Sequence, residues 1–171
     1  MSTIRYDLAS IKAFLFDMDG VLSSDTMPLA ANGDLIRTTN IKDGYAMQLA
    51  VKKGYVVGII SGAYSESARL RFERLGVAFI YMNSPDKVQD YKDFLYRTNL
   101  KDENIVYVGD DMPDYEIMQR VGLPVAPASA APEIKAIAKY ISARNGGDGV
   151  ARDIIEQTMK AQGNWISSNE N

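Results

Sequence analysis

IKAFLFDMDG, residues 11–20, is the stretch from which the rest of the chain can be read. Its first half is short and, Lys12 apart, apolar, the pattern of a strand buried on both faces. It ends in two carboxylates, Asp17 and Asp19, one residue apart, with Gly20 directly behind them. Side chains at i and i+2 of an extended segment point the same way, so the two acids can address one ligand. Acids this close repel each other, and a strand end that keeps both needs a ligand that offsets the repulsion.

Beyond Gly20 the text turns polar, and Asn32-Gly33 predicts the turn of a β-hairpin within residues 26–39. A helix is expected over about residues 43–53, stopped by Gly54, followed by a buried strand at 55–61. Ala68, Phe72 and Leu75 recur at helical spacing up to Gly76. A strand is read at 77–81, a helix from near Asp86 carrying Val88, Tyr91 and Leu95, and a strand at 104–111. Ile117, Met118 and Val121 mark the next helix. LPVAP and KYIS read as short edge strands flanking a helix near 133–138, and a last helix spans about 150–161 before a polar tail at 163–171. This βαβα rhythm predicts one α/β domain over residues 1–171: a three-layer, Rossmann-like parallel sheet with helices on both faces and a β-hairpin flap after the first strand.

Composition narrows the chemistry. The chain has 171 residues, 46% hydrophobic and 24% charged, and a net charge of -3, which gives no sign of nucleic acid as a partner. It has no cysteine and no histidine, which removes thiolate nucleophiles, Ser–His catalysis and imidazole–zinc sites. No stretch has the hydrophobic core of a signal peptide or the length of a membrane span, so a cytoplasmic protein with no membrane partner is expected.

In parallel sheets ligands bind beyond the carboxyl ends of the strands. Asp17 and Asp19 follow the first strand, Ser61 and Gly62 end the second, and Gly109, Asp110 and Asp111 end the fourth, with Asp114 one turn on. Taken singly, acids after strands are ordinary helix caps and Lys87 is an ordinary surface lysine. As a set, carboxylates this close need a cation, and with only oxygen ligands on offer that cation is Mg²⁺. A hard cation, an acid pair, a serine and a lysine fit phosphoryl transfer to a carboxylate. Asp17 would attack phosphorus; Asp19 would protonate the leaving alcohol and later deprotonate the hydrolytic water. Ser61 and backbone amides would hold phosphoryl oxygens, and Lys87 would balance charge.

DMDGVL (residues 17–22), IISG (59–62), Lys87 and GDDMPD (109–114), in that order, resemble the four motifs of the haloacid dehalogenase superfamily of phosphatases. The resemblance implies that Asp17 is nucleophile and metal ligand. It makes Asp19 the acid/base, with its backbone carbonyl on Mg²⁺, Asp110 a metal ligand and Asp114 a partner behind it. The intervals between motifs leave no room for a cap domain, as in the capless branch. Within it NIKDGYA (40–46), VGDDMPD and GGDGVARDII (146–155) resemble the 3-deoxy-D-manno-octulosonate 8-phosphate phosphatases, a group that also includes phosphatases of nine-carbon keto-sugar acids and serves lipopolysaccharide biosynthesis. Members are Mg²⁺-dependent homotetramers in which hairpins and C-terminal segments complete a neighbour's site. Carried over by position, Asn40, Ile41, Lys42, Asp43 and Gly44 match a substrate-contacting loop and Arg71 a substrate-binding arginine. Asp19, Ser61, Gly62 and Lys87 surround the phosphate. Two positions depart from the pattern: Ala63 and Gln48 stand where relatives usually carry arginine.

The substrate implied is an eight-carbon 3-deoxy keto-sugar acid phosphate; the alternatives are a nine-carbon acid 9-phosphate or another small phosphate ester. A phosphoacceptor signalling domain also clusters aspartates, a lysine and Mg²⁺, but its phosphorylated aspartate follows a middle strand, where this chain has Ser61. A catalytically silent relative would be expected to lose Asp17 or Asp19, and both are present.

Overall fold

The strands are β1 (Ala13–Phe16), β2 (Val56–Ile60), β3 (Phe79–Tyr81), β4 (Ile105–Val108), β5 (Leu123–Ala126) and β6 (Tyr140–Ile141). The computed structural model describes residues 3–166, and within them these strands form one parallel sheet of order β3-β2-β1-β4-β5-β6. β1 lies between β2 and β4, with Phe16 opposite Ile59 on one side and Val108 on the other. The backbone N–H of Asp17 still donates to Val108 O at 3.0 Å, so the first acid is held by the ladder itself. The order reverses beside β1, where such sheets open a crevice for ligands.

Helices α1 (Ile41–Lys52), α2 (Glu66–Arg74), α3 (Lys87–Thr98), α4 (Tyr115–Arg120), α5 (Pro132–Ile137) and α6 (Val150–Ala161) cover both faces. Phe14 and Phe16 pack with Met47 of α1, Phe72 of α2 and Ile154 of α6, whereas Ala13 and Leu15 pack with Phe94 of α3, Met118 of α4 and Ile134 of α5. A period of two along β1 thus sorts the helices into two layers. Asn40, Ser65 and Asp86 cap α1, α2 and α3 with their side chains.

Three details refine the sequence reading. LPVAP forms β5, an interior strand with every residue buried, although a proline in a strand usually marks an edge. Pro124 is tolerated because its carbonyl accepts from Lys139 N. Its missing N–H therefore faces the same side, ahead of the point where β6 begins. The predicted hairpin is present only as a flap. Leu29 and Leu35 form a single antiparallel bridge, with Ala30 N donating to Asp34 O and Ile36 N to Pro28 O. Trp165, in the polar tail, packs edge-on against Tyr45 with Arg152 stacked 4.7 Å above it. The rest of that tail, residues 167–171, lies outside the described residues. No helix among the described residues is long and apolar enough to cross a membrane.

Candidate active site

The loop after β1 folds back at once. The amides of Val21, Leu22 and Ser23 all donate to Met18 O, a tight turn that requires Gly20 at φ +82°. A Cβ at Gly20 would also stand 2.0 Å from Asp110 Oδ2, so only glycine lets the β4 loop reach the β1 loop. From the other side Gly146 packs on Gly20, where a Cβ would fall 1.9 Å from the Gly20 carbonyl oxygen, and Gly147 N donates to Val21 O. The glycine-rich GGDG segment therefore buttresses the loop after β1 from behind.

These approaches bring Asp17, Asp110 and Asp114 together, one carboxylate oxygen of each lying within 4.8 Å of the others. Lys87, buried at the start of α3, sends its ammonium between two of them, 2.9 Å from Asp17 Oδ1 and 2.8 Å from Asp114 Oδ1. Asp114 is fully buried and saturated: Oδ1 accepts from Lys87 and Tyr107, and Oδ2 from the amides of Asp110 and Asp111. Four donors use the lone pairs of one carboxylate, so Asp114 holds the site together rather than offering an oxygen to a ligand. Asp110 differs, because its Oδ1 is buried and accepts nothing.

The electrostatics follow from that packing. Burial, then the charges of Asp114 and Asp111, push the Asp110 carboxyl up to about 7. Burial, then Asp114, push Asp17 well above the ordinary carboxylate range, against the pull of Lys87 and the Met18 amide. Burial works to lower the Lys87 ammonium, but Asp114 and Asp17 together outweigh it and raise it. Three carboxylates face one ammonium, an excess of acid over base that, among the described residues, no other cation of the cluster offsets. An orphaned buried oxygen in an all-oxygen donor set of that charge fits a hard divalent cation such as Mg²⁺, with Asp17 and Asp110 as the side chains to hold it.

Asp19 faces elsewhere. Its Oδ1 accepts from Arg37 Nε at 2.7 Å and from Ser23 Oγ at 3.1 Å, and its Oδ2 from Arg37 Nη2 at 2.8 Å. Its side chain is not among the clustered carboxylates, and the backbone carbonyl that the resemblance assigns to the metal is a separate group. A guanidinium offers donors only, and the fork leaves Oδ2 of Asp19 one lone pair on which to carry a proton. Asp17, Asp19, Asp110 and Asp111 line a cavity of about 350 Å³ that the flap roofs with Met27 and Leu35.

The remaining predicted residues divide. Ser61 is buried at the end of β2, beside β1, with its hydroxyl accepting from Ala63 N and its carbonyl from Ser84 N; Gly62 follows it in the same turn. Asn40, Ile41 and Lys42 line a separate cavity of about 360 Å³ with Arg144 and Arg152. Asp43 and Gly44 line neither of these two cavities: Asp43 is buried against α6, and Gly44 lies under the Arg71 guanidinium. Arg71 lines a third cavity with Arg37. Sequence reasoning missed Arg37, Asp25, Met27 and Leu35, because no periodicity fixes the path of the flap. The one available signal was an arginine soon after a hairpin turn beside the acid pair.

The chain belongs to the haloacid dehalogenase-like hydrolases, the family whose model matches residues 59–154, and it is a phosphatase of that family. Among its relatives is the 3-deoxy-D-manno-octulosonate 8-phosphate phosphatase of Escherichia coli K12, 33% identical over 154 residues, which span 90% of this chain and 82% of that protein. A phosphatase structure from Pseudomonas syringae superposes with a TM-score of 0.88 at 34% identity, covering 92% of this chain and 89% of that one. The 3-deoxy-D-manno-octulosonate 8-phosphate phosphatase of Moraxella catarrhalis, solved with magnesium, phosphate and the sugar acid, superposes with a TM-score of 0.87 at 26% identity, over 92% and 91% of the two chains.

Proposed function

We propose that this protein is a Mg²⁺-dependent phosphomonoesterase acting on a phosphorylated 3-deoxy keto-sugar acid, with 3-deoxy-D-manno-octulosonate 8-phosphate the leading candidate. The observation that carries the chemistry is the Asp17–Lys87–Asp114 chain beside the orphaned Asp110 oxygen. The similarity to the Escherichia coli and Moraxella catarrhalis enzymes supports the substrate.

Asp17 attacks phosphorus and the alkoxide leaves, giving an aspartyl-phosphate. Both donors to Asp17, Lys87 Nζ and Met18 N, converge on Oδ1, which leaves Oδ2 as the attacking oxygen. Lys87 pulls the nucleophile toward its ionised form against its burial, and Asp114 with Tyr107 keeps Lys87 in place. Asp19 gives its proton to the departing oxygen and takes one from the water that hydrolyses the intermediate. Ser61 and the amides that follow it hold phosphoryl oxygens. Bound Mg²⁺ supplies charge neutralisation for the nucleophile and the transferred group. The test is phosphate release from the eight-carbon sugar acid phosphate by purified protein with Mg²⁺. No turnover of that compound, alongside turnover of a simple aryl phosphate, would exclude this substrate.

The absence of arginine at residues 63 and 48 favours a second reading, a nine-carbon keto-sugar acid 9-phosphate. A cytoplasmic homotetramer completes the proposal. The exposed Leu29, Leu35 and Ile36 of the flap give it apolar surface for a neighbouring copy.

A further inference from the structure

We propose that Arg37 determines specificity: with substrate bound it exchanges Asp19 for the substrate's carboxylate and, together with Arg71, holds that carboxylate in the cavity next to the catalytic one. This rests on the sugar-acid reading above and names Arg37 as the residue that, beside Arg71, would make up for the two missing arginines.

The geometry is that of two rooms with one wall. Asp19 lines the catalytic cavity, Arg37 lines a neighbouring cavity of about 210 Å³, and the forked ion pair between them is the partition. Among the described residues no acidic side chain lines the second cavity, although two guanidiniums do. Arg71 lies across α1, its Nη2 where a Cβ at Gly44 would come within 2.7 Å, and its buried Nε has no hydrogen-bond partner. A buried donor left unpaired costs energy unless a ligand supplies the acceptor. Met18, Leu22 and Phe72 give the cavity apolar walls, and Ser23, Thr38, Thr39 and Ser67 line it with hydroxyls. That combination suits the carbon chain, hydroxyls and carboxylate of a sugar acid whose phosphate sits at Asp17.

A carboxylate is the occupant that fits. It offers a guanidinium the same planar pair of acceptors that Asp19 now provides, so Arg37 can change partners without losing its fork. The side chain of Arg37 is only 12% exposed, so the exchange takes place away from bulk water, where a charge-assisted pair counts for more.

The alternative is that Arg37 only pins the flap to the catalytic loop and positions Asp19. Kinetics with two substrates separate the two roles: the eight-carbon sugar acid phosphate, and phenyl phosphate, which has no carboxylate. In Arg37→Met the ratio of kcat/KM for the sugar acid over phenyl phosphate should fall by about tenfold or more, the loss expected for one charge-assisted partner, with KM carrying the change. Arg37→Lys, which keeps the charge but not the fork, should fall between. Calorimetric titration of the dephosphorylated sugar acid into Mg²⁺-free protein should show weaker binding in Arg37→Met by a similar factor. A purely positioning role lowers kcat/KM for both substrates equally and leaves product binding as in wild type, and that result overturns the proposal. A wild-type protein that hydrolyses phenyl phosphate but none of the sugar acids overturns the substrate reading and this proposal with it. A folded wild type active on the sugar acid, with a ratio unmoved in both variants, overturns this proposal alone.

Discussion

Asp43, on α1, accepts a 2.7 Å hydrogen bond through its Oδ1 from the backbone N–H of Arg152, in the first turn of α6. The α6 helix begins after Gly149 and has no side-chain cap of its own, so α1 lends it one. Asp43 is buried, its Oδ2 accepts nothing, and burial pushes the carboxyl up to about 6 despite the Arg152 amide and charge.

Stability therefore depends on pH through Asp43. Its folded pKa lies above its ordinary value of 3.8, so the folded state binds the proton more tightly than the unfolded one. That contribution is fully present below about pH 4 and is lost as pH rises through about 6. Asn at this position keeps an acceptor for Arg152 N without the buried charge. Asp43→Asn should be more stable than wild type at pH 7.5, by roughly 1–3 kcal/mol, and the gap should close by pH 4. Denaturant melts of both proteins across that range check it. A difference independent of pH would show that Asp43 does not titrate in the folded protein.

Gly20→Ala tests the close approach of the two acidic loops. The added methyl would collide with Asp110 Oδ2 and sits at a φ of +82°, which alanine adopts only with strain. Asp110 must move, so the expected outcome is a higher Mg²⁺ requirement for half-maximal activity and a loss of stability of about 1 kcal/mol or more. Activity titrated against Mg²⁺ and a thermal melt give the two readings. An unchanged Mg²⁺ requirement would remove Asp110 from the proposed ligands.

The aspartates should separate by role. Asp17→Asn is expected to abolish turnover. Asp19→Asn should lose about 10²–10⁴-fold in kcat, the range for a proton-transfer group, while still binding Mg²⁺, since its side chain lies outside the carboxylate cluster. Asp110→Ala should weaken Mg²⁺ binding. Phosphate-release assays paired with metal titration by calorimetry resolve all three. Wild-type turnover in Asp17→Asn would overturn the mechanism.

The parts of this site that could be read from sequence are those attached to strand ends. Short, continuously apolar runs give way to polar residues where β1 and β4 stop, and the stops place Asp17 and Asp110; the helix start after Asp86 places Lys87. Arg37 was illegible because it reaches Asp19 from an irregular flap 18 residues away, held by one antiparallel bridge rather than a repeating pattern. Asp43 reads as a cap of its own helix, and Asn40 takes that place instead, because a cap donated to α6 from α1 is a tertiary contact with no local signature.

Flap exposure leads to a prediction about assembly. Leu29, Leu35 and Ile36 are 70%, 40% and 50% exposed, on a segment that also lines the aspartate cavity through Leu35. Clustered apolar side chains of this kind mark contact surfaces. Wild type should run as a symmetric oligomer, a tetramer, and Leu29→Asp with Ile36→Asp should shift it to smaller species with reduced activity. Light scattering measures this, and a fully active wild-type monomer would refute it.

The last prediction concerns Ala63, which follows Ser61 and Gly62 in the turn after β2 and donates its amide to Ser61 Oγ at 3.2 Å. Its methyl is half-buried against the core, so a longer side chain here must extend past that contact to reach a ligand. If the substrate carboxylate lies within reach, Ala63→Arg adds a bidentate donor that the native chain lacks. Charge-assisted pairs contribute on the order of 1.5–3 kcal/mol, so KM for the eight-carbon sugar acid phosphate should fall by about tenfold. The effect belongs in KM because the new contact is remote from the reacting phosphorus. Combining it with Arg37→Met sharpens the expectation. Two arginines serving one carboxylate are coupled, so Ala63→Arg should lower KM more in the Arg37→Met background than in wild type. Steady-state kinetics on the four proteins of that cycle decide the matter. Additive effects would mean that the two positions read different parts of the substrate, and a KM that is unchanged or higher in Ala63→Arg alone would mean that the carboxylate does not reach the β2 turn.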